Sequence, residues 1–234
     1  MNISDAFNQG AQDYDKYRRF LIPCFDEFYG TVIRILPFQP TDPIHVMDLG
    51  AGTGLLAWFI LQNFPRAELY LVDIAQKMLE EAKKRFQGTS ASVRYLDLDY
   101  TTQELAELPN TLDVVASSLS IHHSSAEEKQ TLFRKIFRAL KPGGIFINAD
   151  MSLGETPEIE TRLQKDWLDQ VKKTPIPDSE LTAAMARTRF DKKDTLADQL
   201  DWLTHAGFTA VHCWYANFGI TVYAGEKPKQ WLIK

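Results

Sequence analysis

With 234 residues, 44% hydrophobic and 24% charged, the chain is long enough to bury one sizeable core and too apolar for a disordered segment. Its net charge of -5, with Lys and Arg scattered among carboxylates, leaves no basic stripe for nucleic acid. No apolar run approaches a bilayer span, Met1-Asn2-Ile3-Ser4-Asp5 lacks a leader pattern, and Cys24 and Cys213 stand far apart, so a cytoplasmic protein with no metal or disulfide framework is expected.

Residues 1–36 read as a helical, aromatic-rich extension, with Phe7, Tyr14, Tyr17 and Phe20 beside the basic pair Arg18 and Arg19. From Ile44 onward, short β-rich runs alternate with segments of helical period, the pattern of βαβ units in a mostly parallel sheet. Strands are predicted at 44–49, 68–73, 93–96, 112–117 and 145–150, with helices over 54–63, 76–86 and 127–140 and a short helical stretch near 102–107. Lys141-Pro142-Gly143-Gly144 is expected to stop the helix before it, since Pro cannot continue the turn and Gly accepts a left-handed cap. A helical insertion follows over 156–189, broken at Thr174-Pro175-Ile176-Pro177. A helix over 196–206 closed by Gly207 leads to two strands, 210–215 and 220–225, too close for a crossover and so an antiparallel hairpin. The organisation expected is one domain, with 44–150 the ligand-binding core and 195–226 its C-terminal helix and hairpin.

The stretch Asp48-Leu49-Gly50-Ala51-Gly52-Thr53-Gly54 lies between a strand and a helix, where glycines let backbone approach a ligand at the carboxyl edge of the sheet. Read from Gly52, it also fits the dinucleotide fingerprint G-x-G-x-x-A. Electrostatics weighs against that reading, because Asp48 would stand beside a pyrophosphate. A sulfonium nucleoside such as S-adenosylmethionine brings positive charge, which Asp48 can balance while Gly50, Ala51 and Gly52 make room. Asp73, about 20 residues beyond the turn, is placed to accept from ribose hydroxyls. Ile74 and Met78 would flank the adenine, Asp97 would accept from its amino group, and the Leu98 amide would donate to a ring nitrogen.

These motifs, with Asp113-Val114-Val115-Ala116-Ser117-Ser118 and Leu140-Lys141-Pro142-Gly143-Gly144, resemble in order and spacing those of class I S-adenosylmethionine-dependent methyltransferases. The resemblance implies a Rossmann-like, seven-stranded, mostly parallel sheet with an antiparallel C-terminal hairpin and a helical lid. It also implies cofactor contacts at Gly50, Asp73, Asp97 and Ser117. The segment from Ser179-Glu180-Leu181 to Arg187, with 206–219, is similar to carboxy-S-adenosylmethionine synthase, which implies that Arg187 meets a carboxylate.

The acceptor of such an enzyme is expected to be a small molecule. His122 and His123, in the loop after the fourth strand, are candidates to take its proton, and Tyr14 and Arg19 of the lid are candidates to meet the methionyl carboxylate or the acceptor. Packing or capping by these histidines is the plain alternative, and a non-catalytic cofactor-binding module would share the same turn and acids. A homodimer paired through the insertion is a further implication of the family.

Overall fold

The computed structural model describes residues 15–105 and 111–229. Two helices lead into the sheet, α1 (Arg18–Leu21) and α2 (Phe25–Arg34). The parallel part comprises β1 (His45–Leu49), β2 (Glu68–Asp73), β3 (Val93–Asp97), β4 (Leu112–Ser118) and β5 (Leu140–Met151). Between them run α3 (Leu55–Asn63), α4 (Gln76–Phe86) and α5 (Ala126–Ala139). The insertion forms α6 (Pro157–Val171) and α7 (Asp178–Arg187), after which α8 (Leu196–His205) leads to β6 (Thr209–Asn217) and β7 (Ile220–Glu226).

The seven strands form one sheet in the order β3-β2-β1-β4-β5-β7-β6. β7 pairs antiparallel with both β5 and β6, as the short connection requires, and the other pairings are parallel. Order reverses between β1 and β4, so the two chains leaving their carboxyl ends part company there and open a crevice. The central strands are buried on both faces. One face packs on α2, α3 and α4 through Phe28, Val32, Ile60 and Phe86, the other on α5 and α8 through Phe133, Ile136, Phe137 and Leu203.

Local chemistry accounts for the element ends. Helix α2 buries Phe25, Phe28, Tyr29 and Val32, one helical stripe. Helix α5 starts at a capping box: Ser125 Oγ accepts from the Glu128 amide and the Glu128 carboxylate accepts from the Ser125 amide. Two expected features differ. Helix α5 stops at Ala139, and Leu140 already has extended backbone and pairs with Leu112, so Lys141-Pro142-Gly143-Gly144 is an irregular part of β5 and not a helix cap. Gly143 takes a φ of +82° there and its amide bonds to the Lys227 carbonyl. Residues 102–105 are not helical, and 106–107 lie outside the described residues. Asp99 accepts from the Thr101 amide and hydroxyl while Gln103 accepts from the Asp99 amide, and these side-chain bonds hold a turn that competes with helix.

Candidate functional site

The glycine turn leaves β1 with Gly50, Gly52 and Gly54 all at positive φ. A Cβ on Gly50 would collide with the Ser120 side chain, which reaches over the turn from the loop after β4. A Cβ on Gly52 would meet no atom within 4 Å, so that glycine faces open space in the cradle. Asp48, at the end of β1, is 1% exposed. Its Oδ2 accepts from the Ala57 amide in the first turn of α3, 3.2 Å away, and its buried Oδ1 has no partner among the described residues. Burial pushes this carboxyl from the ordinary 3.8 up to about 7, aided by Asp73 and opposed by the Ala57 amide and Arg18.

Asp73 closes the other side of the crevice. Its carboxylate accepts from the Gly52 amide at 2.7 Å and from the Ala75 amide at 2.8 Å, tying the glycine turn to the loop after β2. Burial raises its pKa and those amides pull it back. Ile74, Met78 and Leu98 line the same cavity, together with Asp48, Gly50, Ala51, Gly52 and Asp73.

Two expected cofactor residues fall elsewhere. Asp97 is exposed at the end of edge strand β3 and accepts from Gln76 Nε2 at 2.5 Å; the acid that lines the cavity is Asp99, two residues on, where the chain has turned across the end of β2. Ser117 is fully buried, and its hydroxyl donates to the Leu49 carbonyl at 2.7 Å, clamping β4 to β1. Ser118, its neighbour, faces the cavity. Tyr100 bonds Ser120 at 2.7 Å beneath it.

The N-terminal extension does reach this site. The Tyr29 hydroxyl accepts from Ser118 Oγ at 3.1 Å and from Arg18 Nε at 3.2 Å. Asp15 pairs with Arg85 and accepts from the Thr53 hydroxyl at 2.8 Å, so the chain is latched over the glycine turn. Arg19 points away: it is 57% exposed, pairs with Asp26 at 2.7 Å and lies over the Phe25 ring. Its neighbour Arg18, only 9% exposed, is the arginine that lines the cavity, because one step along a helix turns the side chain by about 100°. Tyr14 and Phe7 lie outside the described residues.

A second cavity, of about 830 Å³, opens between the sheet edge and the insertion. Arg18, Leu119, His123 and Lys192 line both cavities and so mark their junction. Leu119 holds a φ of +51° there, a strained conformation for a bulky residue of the kind that gathers at functional sites. Arg187 lines the second cavity, away from the glycine turn. The Trp167 indole on α6 donates to the Leu21 carbonyl at 2.9 Å, joining insertion to extension over this space.

His122 and His123 occupy the turn 121–123 at the same junction, with ring centres 4.0 Å apart. His122 Nδ1 lies 2.5 Å from the buried Asp150 carboxylate, and its Nε2 faces Asp191 at 3.5 Å. Burial lowers its pKa, but Asp150 and Asp191 outweigh that and carry it to about 9. His123 goes the other way, to about 4, through burial and the neighbouring His122 charge. The two shifts diverge, and neither brings an imidazole toward pH 7, where a general base is best poised.

The strand order, the open glycine turn and the buried Asp48 carboxyl, with one oxygen unpartnered among the described residues, give a Rossmann-like domain with a crevice at its switch point. Residues 46–144 match the family model of the methyltransferase domain. A demethylmenaquinone methyltransferase of Chlamydia trachomatis is 32% identical over 143 residues, which are 61% of this chain and 58% of that protein. A carboxy-S-adenosyl-L-methionine synthase of Hydrogenovibrio crunogenus is 24% identical over 194 residues, 81% of this chain and 74% of that one. Among solved structures, PigF with SAH superposes with a TM-score of 0.64 at 22% identity, covering 97% of this chain and 62% of that chain. Residues 46–144 are thus similar to a methyltransferase domain, and the likeness to PigF is one of fold. It spans less than two thirds of the first of these relatives. Among the described residues, no helix is long and apolar enough to cross a membrane.

Proposed function

We propose that the chain is one domain acting as a cytoplasmic methyltransferase, taking the methyl group of S-adenosylmethionine to a small-molecule acceptor bound in the second cavity. The observation that carries this reading is Asp48: a carboxylate 1% exposed, with one oxygen lacking a partner among the described residues and lining a crevice at the switch point of the sheet. A buried anion needs a countercharge. The cofactor's ammonium and sulfonium fit that need, and the gap at Gly52 leaves room for its close approach.

When bound, the cofactor supplies a methyl carbon already activated by the sulfonium. The protein's part is to hold, align and exclude water. Asp48 balances the cationic methionyl end. Asp73, with lone pairs left after its two amide bonds, accepts from the ribose hydroxyls. Asp99 replaces Asp97 as the acid for the adenine amino group, Ile74 and Met78 pack on the ring, and Arg18, held by Tyr29, meets the methionyl carboxylate. The acceptor approaches from the second cavity past Leu119 and His123, where the two spaces meet.

The Hydrogenovibrio crunogenus relative, aligned with 81% of this chain, favours a second reading, a carboxy-S-adenosylmethionine synthase, in which Arg187 would bind an acidic group in the second cavity. One experiment separates the two. The purified chain is incubated with S-adenosylmethionine and a panel of hydroxyl, amine and thiol acceptors, or with prephenate, and products are read by mass spectrometry. Release of S-adenosylhomocysteine with a methylated acceptor supports the first reading, and a carboxylated cofactor formed only with prephenate supports the second. Cofactor bound with neither product would leave a binding module.

A further inference from the structure

His122, His123 and Asp191 form a group that the methyl-transfer chemistry above does not use. Among the described residues they are the one set of three His, Cys, Asp or Glu side chains whose ligand atoms lie within 4.8 Å of one another. Asp191 Oδ1 is 3.4 Å from His123 Nδ1 and 3.5 Å from His122 Nε2. Metal–ligand bonds of ~2.0–2.1 Å at tetrahedral angles separate neighbouring donor atoms by ~3.3–3.4 Å. The two separations to Asp191 are those of donors around a common centre, and the two histidine nitrogens lie within 4.8 Å of each other.

The scaffold behind these donors is built as metal sites are built. The Nδ1 side of His122 faces Asp150 at 2.5 Å, and Asp150 is itself fixed by the His122 and Met151 amides at 3.0 Å and 2.9 Å. That carboxylate orients the ring with Nε2 toward Asp191, the carboxylate–histidine arrangement that steers metal-ligating imidazoles. Asp191 comes from a distant part of the chain, yet the next residue's amide, Lys192, donates to the His122 carbonyl at 2.7 Å. The buried Lys129 ammonium holds the same strand of chain by the Lys192 carbonyl and the Asp194 carboxylate, at 2.5 Å and 2.6 Å. All three donor residues line the second cavity, and His123 lines the cofactor cavity as well.

We infer that His122 Nε2, His123 Nδ1 and Asp191 Oδ1 bind one divalent transition-metal cation at the junction of the two cavities, with coordination positions left for an oxygen of the acceptor. Two imidazoles and one carboxylate select the zinc and iron(II) class over magnesium or calcium, which prefer all-oxygen sites. The acceptor part of this inference rests on the methyltransferase reading; the metal site does not. In that reaction a metal-bound hydroxyl loses its proton to solvent. Its oxygen pair then forms the new bond to the methyl carbon as the carbon–sulfur pair returns to sulfur, so no oxidant or reductant is needed.

The test uses untagged, chelator-treated full chain titrated with cobalt(II), read by visible d–d absorption and by calorimetric competition with zinc. S-adenosylhomocysteine binding is measured in parallel on every sample. The expected result is saturation at one cobalt per chain, displaced by zinc. Asp191→Asn and His123→Gln should each weaken cobalt binding by at least roughly tenfold, and Asp150→Asn, acting through His122, by roughly 10–100-fold. Circular dichroism checks that each variant is folded. No cobalt absorption in the wild type, or binding that a folded Asp191→Asn retains in full, overturns the site. Lost S-adenosylhomocysteine binding with cobalt binding intact would instead overturn the cofactor reading and leave the metal site standing.

Discussion

Replacing Asp48 by Asn keeps the shape of the side chain and removes the charge. In the folded protein burial lifts the Asp48 carboxyl to about 7 from an ordinary 3.8. Below the unfolded value both states carry the proton and the residue costs nothing. Between about pH 4 and 7 only the unfolded state ionises, so stability falls as pH rises, by about 1.4 kcal/mol per unit for this one proton. Above 7 the loss is complete, on the order of 4 kcal/mol. Urea unfolding of the cofactor-free wild type and Asp48→Asn, run side by side from pH 4 to 8, isolates the effect, since every other group titrates in both. The variant should gain on the wild type through this window and level off above pH 7. Cofactor binding should show the converse: S-adenosylmethionine affinity of the wild type rises toward pH 7 as the carboxylate forms, while that of the variant stays weak and flat. A stability difference that does not change with pH would mean that burial does not raise the Asp48 pKa in the folded state.

Three further substitutions probe other parts of the structure. Gly50→Ala places a methyl against Ser120 at a φ of +66°; the backbone term alone costs about 1–2 kcal/mol, and S-adenosylhomocysteine binding measured by calorimetry should drop sharply. Ser125→Ala removes the capping box of α5 and should lower the unfolding free energy in urea by about 1 kcal/mol. Tyr29→Phe takes the acceptor oxygen from Arg18 and Ser118, so binding of S-adenosylmethionine should weaken more than binding of adenosine, which has no methionyl carboxylate.

Much of the fold is legible in the sequence because its signals are local. Apolar runs such as Leu69-Tyr70-Leu71-Val72, separated by amphipathic helices, specify parallel strands, and the short link after Asn217 forces the antiparallel turn back. The glycine turn and the two acids at the ends of β1 and β2 are equally readable, since strand-end position places them on one edge. What is not legible depends on where an element lets go of the sheet. Asp97 and Asp99 share the same alternation, and only the point at which β3 ends decides which one faces the crevice. Ser117 and Ser118, and Arg18 and Arg19, differ by one step on a strand and a helix, which exchanges the inward and outward faces. A helical stripe through Phe25 and Phe28 marks Tyr29 as inward, but its hydroxyl partners lie 11 and 89 residues away. The cluster of His122 and His123 with Asp191 joins segments nearly seventy residues apart through a loop that carries no local pattern.

Whether the crevice takes a cationic nucleoside is decided by one calorimetric comparison. S-adenosylmethionine, S-adenosylhomocysteine and NAD are titrated into the wild type and Asp48→Asn at pH 8. The wild type should bind both adenosyl compounds and not NAD, and the substitution should weaken both. NAD binding that displaces S-adenosylmethionine, or adenosyl affinity that survives the loss of the Asp48 charge, would contradict a crevice made for a cationic nucleoside.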